Sequence, residues 1–147
     1  MKMTTKGRYA VTAMLDLALQ YGESPTPLGD IAERQDLSLS YLEQLFAQLR
    51  RAGLVNSTRG PGGGYTLSRA PAEIAVSVVI KAVNEPFPKT SAEHEPCYLS
   101  QVWDELSAEI ERFLDSVSLA DVLESVEVRN IVDRQRRLFV EKQQALA

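Results

Sequence analysis

One stretch of the sequence, from Leu39 to Leu67, restricts the fold more than any other. Ser40 and Glu43 have the spacing of a capping box, in which a hydroxyl and a carboxylate each accept a hydrogen bond from a backbone N–H at a helix start. Gly53 is typical of the position where a helix ends. Apolar residues recur at helical spacing between these limits: Leu42, Leu45, Phe46 and Leu49. The stretch therefore predicts a helix that begins at Ser40, ends at Gly53 and buries one face.

A β-hairpin follows this helix. Residues 54–58 and 65–67 are short strand candidates, and the glycine-rich segment 59–64 separates them. This segment has neither the lysine of a phosphate-binding P-loop nor the glycine spacing of a dinucleotide site. It is therefore interpreted as the tip of a hairpin and not as a nucleotide site.

Two further helices are predicted before the capped one. Residues 8–21 form an amphipathic stretch, and a short helix follows with Thr26 as its N-cap and Pro27 as its first residue. Three helices followed by a hairpin is the order of a winged helix-turn-helix. A helix of this kind fits the major groove of duplex DNA, and a cation near the hairpin tip suits the negative potential of a minor groove.

The second half of the chain predicts more helices. They lie near residues 76–83, 99–115, 119–123 (capped by Ser118) and 129–144, with an irregular segment at 84–96. The helix at 99–115 has an apolar side made of Val102, Trp103, Leu106, Ile110, Phe113 and Leu114. Because so small a chain cannot cover this side alone, we expect a homodimer. The predicted fold is mainly α with a small β-hairpin: a winged helix-turn-helix domain at 1–84, a loop at 85–98, and a dimerisation helix with further C-terminal helices at 99–147.

Charge and composition restrict the function. The net charge is −4, but residues 1–69 carry eight basic and six acidic residues (+2) while residues 70–147 carry eight and fourteen (−6), which assigns nucleic-acid binding to the first half. No apolar run reaches the roughly 20 residues of a membrane helix, and the single cysteine and the lack of a signal peptide predict a cytoplasmic protein. One cysteine and one histidine form neither a catalytic triad nor a zinc site, so we expect neither an enzyme nor a small-molecule substrate.

The motifs also resemble a known family. Residues 39–46 (LSYLEQLF), 53–55 (GLV) and 59–65 (RGPGGGY), together with 6–16 (KGRYAVTAMLD), are similar to the IscR-like iron–sulfur-cluster regulators, which belong to the Rrf family of small dimeric transcription regulators. The similarity covers about residues 4–85 and resumes at 97–106. It implies a winged-helix reader of duplex DNA, dimerised through the helix at 99–115, that recognises a pseudo-palindromic operator.

The predicted DNA contacts lie on the third helix and on the hairpin. Opposite the apolar side of the helix are Tyr41, Gln44, Gln48 and Arg51, flanked by Ser40, Glu43, Ala47 and Arg50. Gln44 can pair with adenine, while Arg50 or Arg51 suits phosphate. Glu43 has two interpretations: a capping residue, or a carboxylate that faces the groove. On the hairpin the predicted contacts are Arg59, Gly60, Gly62 and Gly63.

The resemblance also implies a metal site, since family members often bind a [2Fe–2S] cluster through three cysteines and a histidine three residues after the last of them. Cys97 matches the last cysteine, but Ser100 stands at the histidine position. Ser91 stands at a plausible position for one of the missing ligands. His94 is the only histidine. Cys97 and His94 are therefore the metal-ligand candidates, and most of the expected ligands are absent. For Cys97 the other interpretations are a buried apolar residue or a redox-sensing thiol.

A function of a different class is a winged-helix module that binds a protein partner and not DNA. Such a surface should expose large apolar residues on the third helix. The sequence instead places glutamine and arginine there, which favours DNA.

Overall fold

The computed structural model describes residues 4–84 and 98–146. Within them the chain is mostly helical, with one two-stranded hairpin, as predicted. The elements in order are α1 (Thr5–Leu19), α2 (Leu28–Gln35), α3 (Leu39–Arg51), β1 (Val55–Thr58), β2 (Gly64–Leu67), a 3₁₀ turn (Pro71–Glu73), α4 (Val76–Val83), α5 (Tyr98–Asp115), α6 (Leu119–Glu124) and α7 (Val126–Leu146).

The core lies between α1, α3 and α4. The apolar residues predicted for α3 are all fully buried, and they pack with side chains from α1, α2, α4 and the base of the hairpin. The fully buried members with the largest side chains include Phe46, Met14, Leu17, Ile31 and Leu54. Apolar periodicity therefore predicted the correct inner face of α3 because burial of that face drives its packing.

Helix starts differ from the predictions. Helix α1 begins at Thr5 and not at residue 8, because the Thr4 side chain caps it by accepting from the Gly7 N–H at 3.0 Å. Helix α3 begins one residue before Ser40, with Ser38 as its N-cap. The Ser38 hydroxyl accepts from the Tyr41 N–H, so the predicted capping box of Ser40 and Glu43 is wrong.

Thr26 has a different role from the predicted one. It does not cap α2, since Pro27 occupies the N-cap position and Leu28 is the first helical residue. Thr26 is instead buried and forms a β-bridge with Tyr65, with backbone hydrogen bonds of 2.8 and 3.0 Å. This bridge ties the segment before α2 to strand β2 of the hairpin.

The hairpin is antiparallel, and its register pairs Val55 with Leu67 and Thr58 with Gly64. Val55 and Leu67 are buried at its base, whereas residues 56–60 are exposed. The Phe46 and Tyr65 rings meet edge to face, with centroids 4.8 Å apart. The base of the hairpin is therefore joined to the core and its tip extends into solvent.

The C-terminal helices return to the same core. Helix α6 has the predicted cap at Ser118, and Leu119 is fully buried in the core beside α1 and the 3₁₀ turn. Helix α7 extends beyond the predicted 129–144 and contacts α2. No helix within residues 4–84 and 98–146 is long and apolar enough to cross a membrane.

Candidate nucleic-acid interface

The exposed face of α3 differs from the predicted one by a rotation about the helix axis. Gln44 and Arg51 are exposed, but the other two residues predicted for the centre of this face, Tyr41 and Gln48, are half-buried. The exposed side chains of α3 are polar or small except for Leu39 at its first position, which is 46% exposed: Leu39, Ser40, Glu43, Gln44, Ala47, Arg50 and Arg51. The residues predicted as flanks are thus part of the outer face.

Gln48 lies at the edge of this face. Its Oε1 atom is buried and has no hydrogen-bond partner among the described residues. The side chain of Gln48 therefore points partly into the protein, and a buried amide oxygen without a partner is unfavourable. Its position weakens the interpretation of Gln48 as a base contact, which rested on spacing alone.

Glu43 is exposed, and it has no capping role because Ser38 performs that function. Of its two interpretations, the one as a capping residue is therefore wrong. Glu43 and Gln44 lie side by side in the second turn of α3, next to Ser40 in the first. Together they form a short polar surface that offers carboxylate, amide and hydroxyl groups.

The hairpin tip is built by glycines that no other residue replaces easily. Gly60 and Gly62 have φ angles of 91° and 73°, a region that disfavours L-residues. A Cβ atom on Gly63 would lie 2.3 Å from the Thr58 carbonyl oxygen. Arg59 is exposed at the start of this turn. The turn therefore presents one cation on a narrow backbone loop.

A buried ion pair supports α2, which leads into α3. Asp16 on α1 accepts two hydrogen bonds from Arg34, at 2.7 and 3.0 Å, and one from Gln35. The side chains of Asp16 and Arg34 are 4% and 11% exposed, respectively. Burial alone would lower the pKa of Arg34, but the hydrogen bonds and charge of Asp16 outweigh it and raise this pKa. Arg34 therefore remains charged, and the Phe139 ring of α7 covers it, with Cζ 5.1 Å from the ring centroid.

One residue beside the site was missed by the sequence analysis. Tyr9 of α1 meets the Tyr41 ring of α3 edge to face, with centroids 5.9 Å apart and an interplanar angle of 87°. Tyr9 is 38% exposed. No local sequence pattern connects Tyr9 to α3, because this contact joins residues 32 positions apart.

The two metal-ligand candidates, Cys97 and His94, lie outside the described residues, as does Ser91. Ser100 lies in the first turn of α5. In the part of the chain that the structure describes, no three histidine, cysteine, aspartate or glutamate side chains are grouped so as to hold a metal ion.

The chain is similar to known proteins in both sequence and fold. Residues 3–125 match the model of the Rrf2 family, described as an iron-dependent transcriptional regulator. The chain is 53% identical over 142 residues to the HTH-type transcriptional regulator IscR of Aliivibrio salmonicida, covering 92% of this chain and 84% of that protein.

Two solved structures share the fold. The first is T. potens IscR, with a TM-score of 0.73 and 47% identity, over 84% of this chain and 87% of the other. The second is CymR, the global cysteine regulator of B. subtilis, with a TM-score of 0.71 and 41% identity, over 82% and 95%.

Proposed function

Because the chain belongs to the Rrf2 family of transcriptional regulators, we propose that it regulates transcription by binding a specific DNA sequence through α3 and the hairpin. The observation that carries this proposal is the polar outer face of α3 beside an exposed glycine-rich hairpin with Arg59 at its tip. The comparisons give no support to the alternative of a module that binds only proteins, and the family is not one of enzymes.

The two elements have different tasks in this proposal. Helix α3 enters the major groove, where Gln44 pairs with adenine and Glu43 accepts from cytosine. Arg50 and Arg51 at the end of the helix contact phosphate, as Ser40 and Tyr41 do at its start. Arg59 inserts into the adjacent minor groove, and Gly60, Gly62 and Gly63 let the backbone approach the DNA closely.

The test compares a base contact with a groove contact. The preferred duplex is first selected from a random pool, and affinities for it and for scrambled DNA are then measured at one fixed salt concentration. Gln44→Ala should reduce discrimination by about 1–3 kcal/mol, while Arg59→Ala should weaken binding to every sequence. Gln144→Ala, at an exposed position of α7, is the matched control and should leave both affinities unchanged. If Gln44→Ala lost specific and non-specific affinity equally, the base-reading face would be misassigned.

We also propose a homodimer that recognises a pseudo-palindromic operator. In the single chain, Trp103 and Phe113 of α5 are each 66% exposed, and Val102, Leu106 and Ile110 are 45–50% exposed. A second copy of the same helix would cover this apolar seam. The proposed division is a DNA-binding domain at 1–84, a loop at 85–98 and a dimerisation region at 99–147, with α6 packed back onto the first domain.

A [2Fe–2S] cluster does not fit the donor set of this chain. The whole sequence contains one cysteine and one histidine, and serine stands at the position of the family's histidine ligand. Serine is a poor ligand for iron, and a cluster with one thiolate lacks most of its strong bonds. We propose that the protein is mainly cluster-free and binds DNA in that form.

Reconstitution with iron and sulfide under nitrogen tests this assignment. We expect little bound iron, no cluster absorption in the visible range, and unchanged DNA affinity. About two irons per chain that disappear in Cys97→Ala would overturn the assignment and make Cys97 a ligand. The same measurement on His94→Ala would show whether the histidine contributes.

A further inference from the structure

The start of α1 lies beside the start of the recognition helix. Tyr9, in the second turn of α1, packs edge to face on Tyr41, which lies in the first turn of α3. Tyr41 is also packed against the core on its other side. The two rings therefore join the beginning of α1 to the part of α3 that enters the groove in the proposed complex.

The contact between Tyr9 and Tyr41 shows which side of α1 is turned towards α3. Gly7 faces α4, because a Cβ atom there would lie 3.3 Å from the Ile80 side chain. At about 100° per residue, Tyr9 projects nearly opposite to Gly7, and Lys6 lies within about 60° of Tyr9. Lys6 and Tyr9 thus lie on the side of α1 that leads towards Tyr41, where Lys6 is half-buried and Tyr9 is 38% exposed.

The charge of this segment is wholly positive. Residues 1–15 contain Lys2, Lys6 and Arg8 and no acidic residue. The first acidic residue of the chain is Asp16, and its carboxylate is paired with Arg34. The first turn of α1 likewise contains no acidic side chain. Basic residues without acidic neighbours at the start of α1, beside the proposed groove-reading helix, are suited to phosphate contacts.

We propose that the Lys6–Tyr9 face of α1 is a third DNA contact, which binds the phosphate backbone flanking the major-groove contact of α3. Lys6 supplies the charge. Tyr9 is a positioning residue whose ring holds Tyr41, and through it the start of α3, against that backbone. This inference rests on the proposed DNA-binding function and extends the interface beyond α3 and the hairpin.

The experiment measures affinity for the selected duplex as a function of salt concentration. Lys6→Gln should reduce the slope of log K against log salt by about one per protomer, and so by about two for the proposed homodimer, and should weaken binding to specific and scrambled DNA alike. Arg112→Gln is the matched control, since it removes one exposed charge from α5 that is paired with Glu109, and it should leave the slope unchanged. An unchanged slope in Lys6→Gln would overturn the phosphate contact.

The Tyr9 variants test the positioning role separately. Tyr9→Ala should weaken binding roughly three- to tenfold, which is the range for loss of an aromatic pair, while Tyr9→Phe should retain the wild-type affinity because the ring remains. Urea unfolding of each variant separates a folding defect from a binding defect. Equal losses in Tyr9→Phe and Tyr9→Ala would overturn the positioning role. If the wild-type chain selected no duplex at all, the proposed function itself would fail, whereas selective binding with unaffected variants would remove only this third contact.

Discussion

Two serines near the start of α3 have different roles: Ser38 caps the helix, and Ser40 is a proposed DNA contact. Ser38 has the extended backbone of an N-cap, with φ −69° and ψ 137°, and its hydroxyl accepts from the Tyr41 N–H. Asp36, two residues earlier, has a left-handed backbone with φ 52°, which ends α2 and turns the chain. Ser40 has a better sequence motif because Glu43 follows it, but the turn at Asp36 brings Ser38 to the helix start. Local spacing cannot distinguish the two serines without that turn.

Substitution of each serine tests this assignment. Ser38→Ala should lower the free energy of unfolding by about 1 kcal/mol, the usual effect of losing an N-cap hydroxyl. Ser40→Ala should change it by less than about 0.5 kcal/mol, as at an ordinary exposed position, but should weaken DNA binding. Urea denaturation gives the first quantity and fluorescence anisotropy the second. The reverse order of stabilities would restore Ser40 as the cap.

The buried pair of Asp16 and Arg34 is a second feature of single residues. Asp16→Ala leaves a charged guanidinium buried without its carboxylate, so we expect a loss of about 3–5 kcal/mol. The matched control is Glu33→Ala, which removes an exposed ion pair with Lys142 at 3.5 Å and should cost at most about 1 kcal/mol. Both values come from urea denaturation at neutral pH. Similar small losses in the two variants would show that the buried pair does not hold α2 in place.

At the scale of elements, apolar periodicity together with capping signals predicted the α-helices, but contacts distant in sequence decided the details. The inner face of α3 was correct because burial selects it, whereas its outer face was misplaced at Gln48, which the neighbouring elements half bury. The bridge between Thr26 and Tyr65 joins residues 39 positions apart, so a local capping pattern at Thr26 was misleading. Charge and residue type predicted the candidate site, and only the fold could bring Tyr9 to it.

The attachment of the hairpin depends on a close backbone approach at Gly64. A Cβ atom there would lie 2.3 Å from the carbonyl carbon and oxygen of Thr26. Gly64→Ala should therefore break the bridge, lower stability and weaken DNA binding by displacing Arg59. Gly29→Ala is the control, because nothing lies within 4 Å and an exposed helical alanine should stabilise by roughly 0.5–1 kcal/mol. Thermal unfolding and anisotropy on both variants give the comparison, and a Gly64→Ala protein with wild-type affinity would show that the hairpin is not a DNA contact.

At the scale of the whole molecule, charge is divided along the chain. Residues 1–69 have a net charge of +2, residues 70–125 carry three basic and eleven acidic residues (−8), and residues 126–147 carry five and three (+2). The acidic middle contains α5, whose apolar seam is the proposed dimer interface. An acidic region repels DNA, so in the proposed complex we expect α5 to lie away from the duplex while α1, α3 and the hairpin face it.

In the proposed dimer, the apolar seam on α5 brings two DNA-reading surfaces together. Leu106→Asp places a charge in the middle of the seam, where burial against a second copy would be costly, so we expect a monomer near 16.3 kDa in place of a dimer of twice that mass. Ala108→Asp adds the same charge on the opposite side of α5, since the two positions are about 200° apart, and should remain dimeric.

Sedimentation velocity at micromolar concentration measures the mass, and anisotropy with full and half operators measures the DNA affinity of each variant. The Leu106→Asp protein should bind both operators with the same weak affinity, because two half-sites strengthen binding only when one dimer contacts both. A wild-type chain that sediments as a monomer would rule out both the dimer and the palindromic operator.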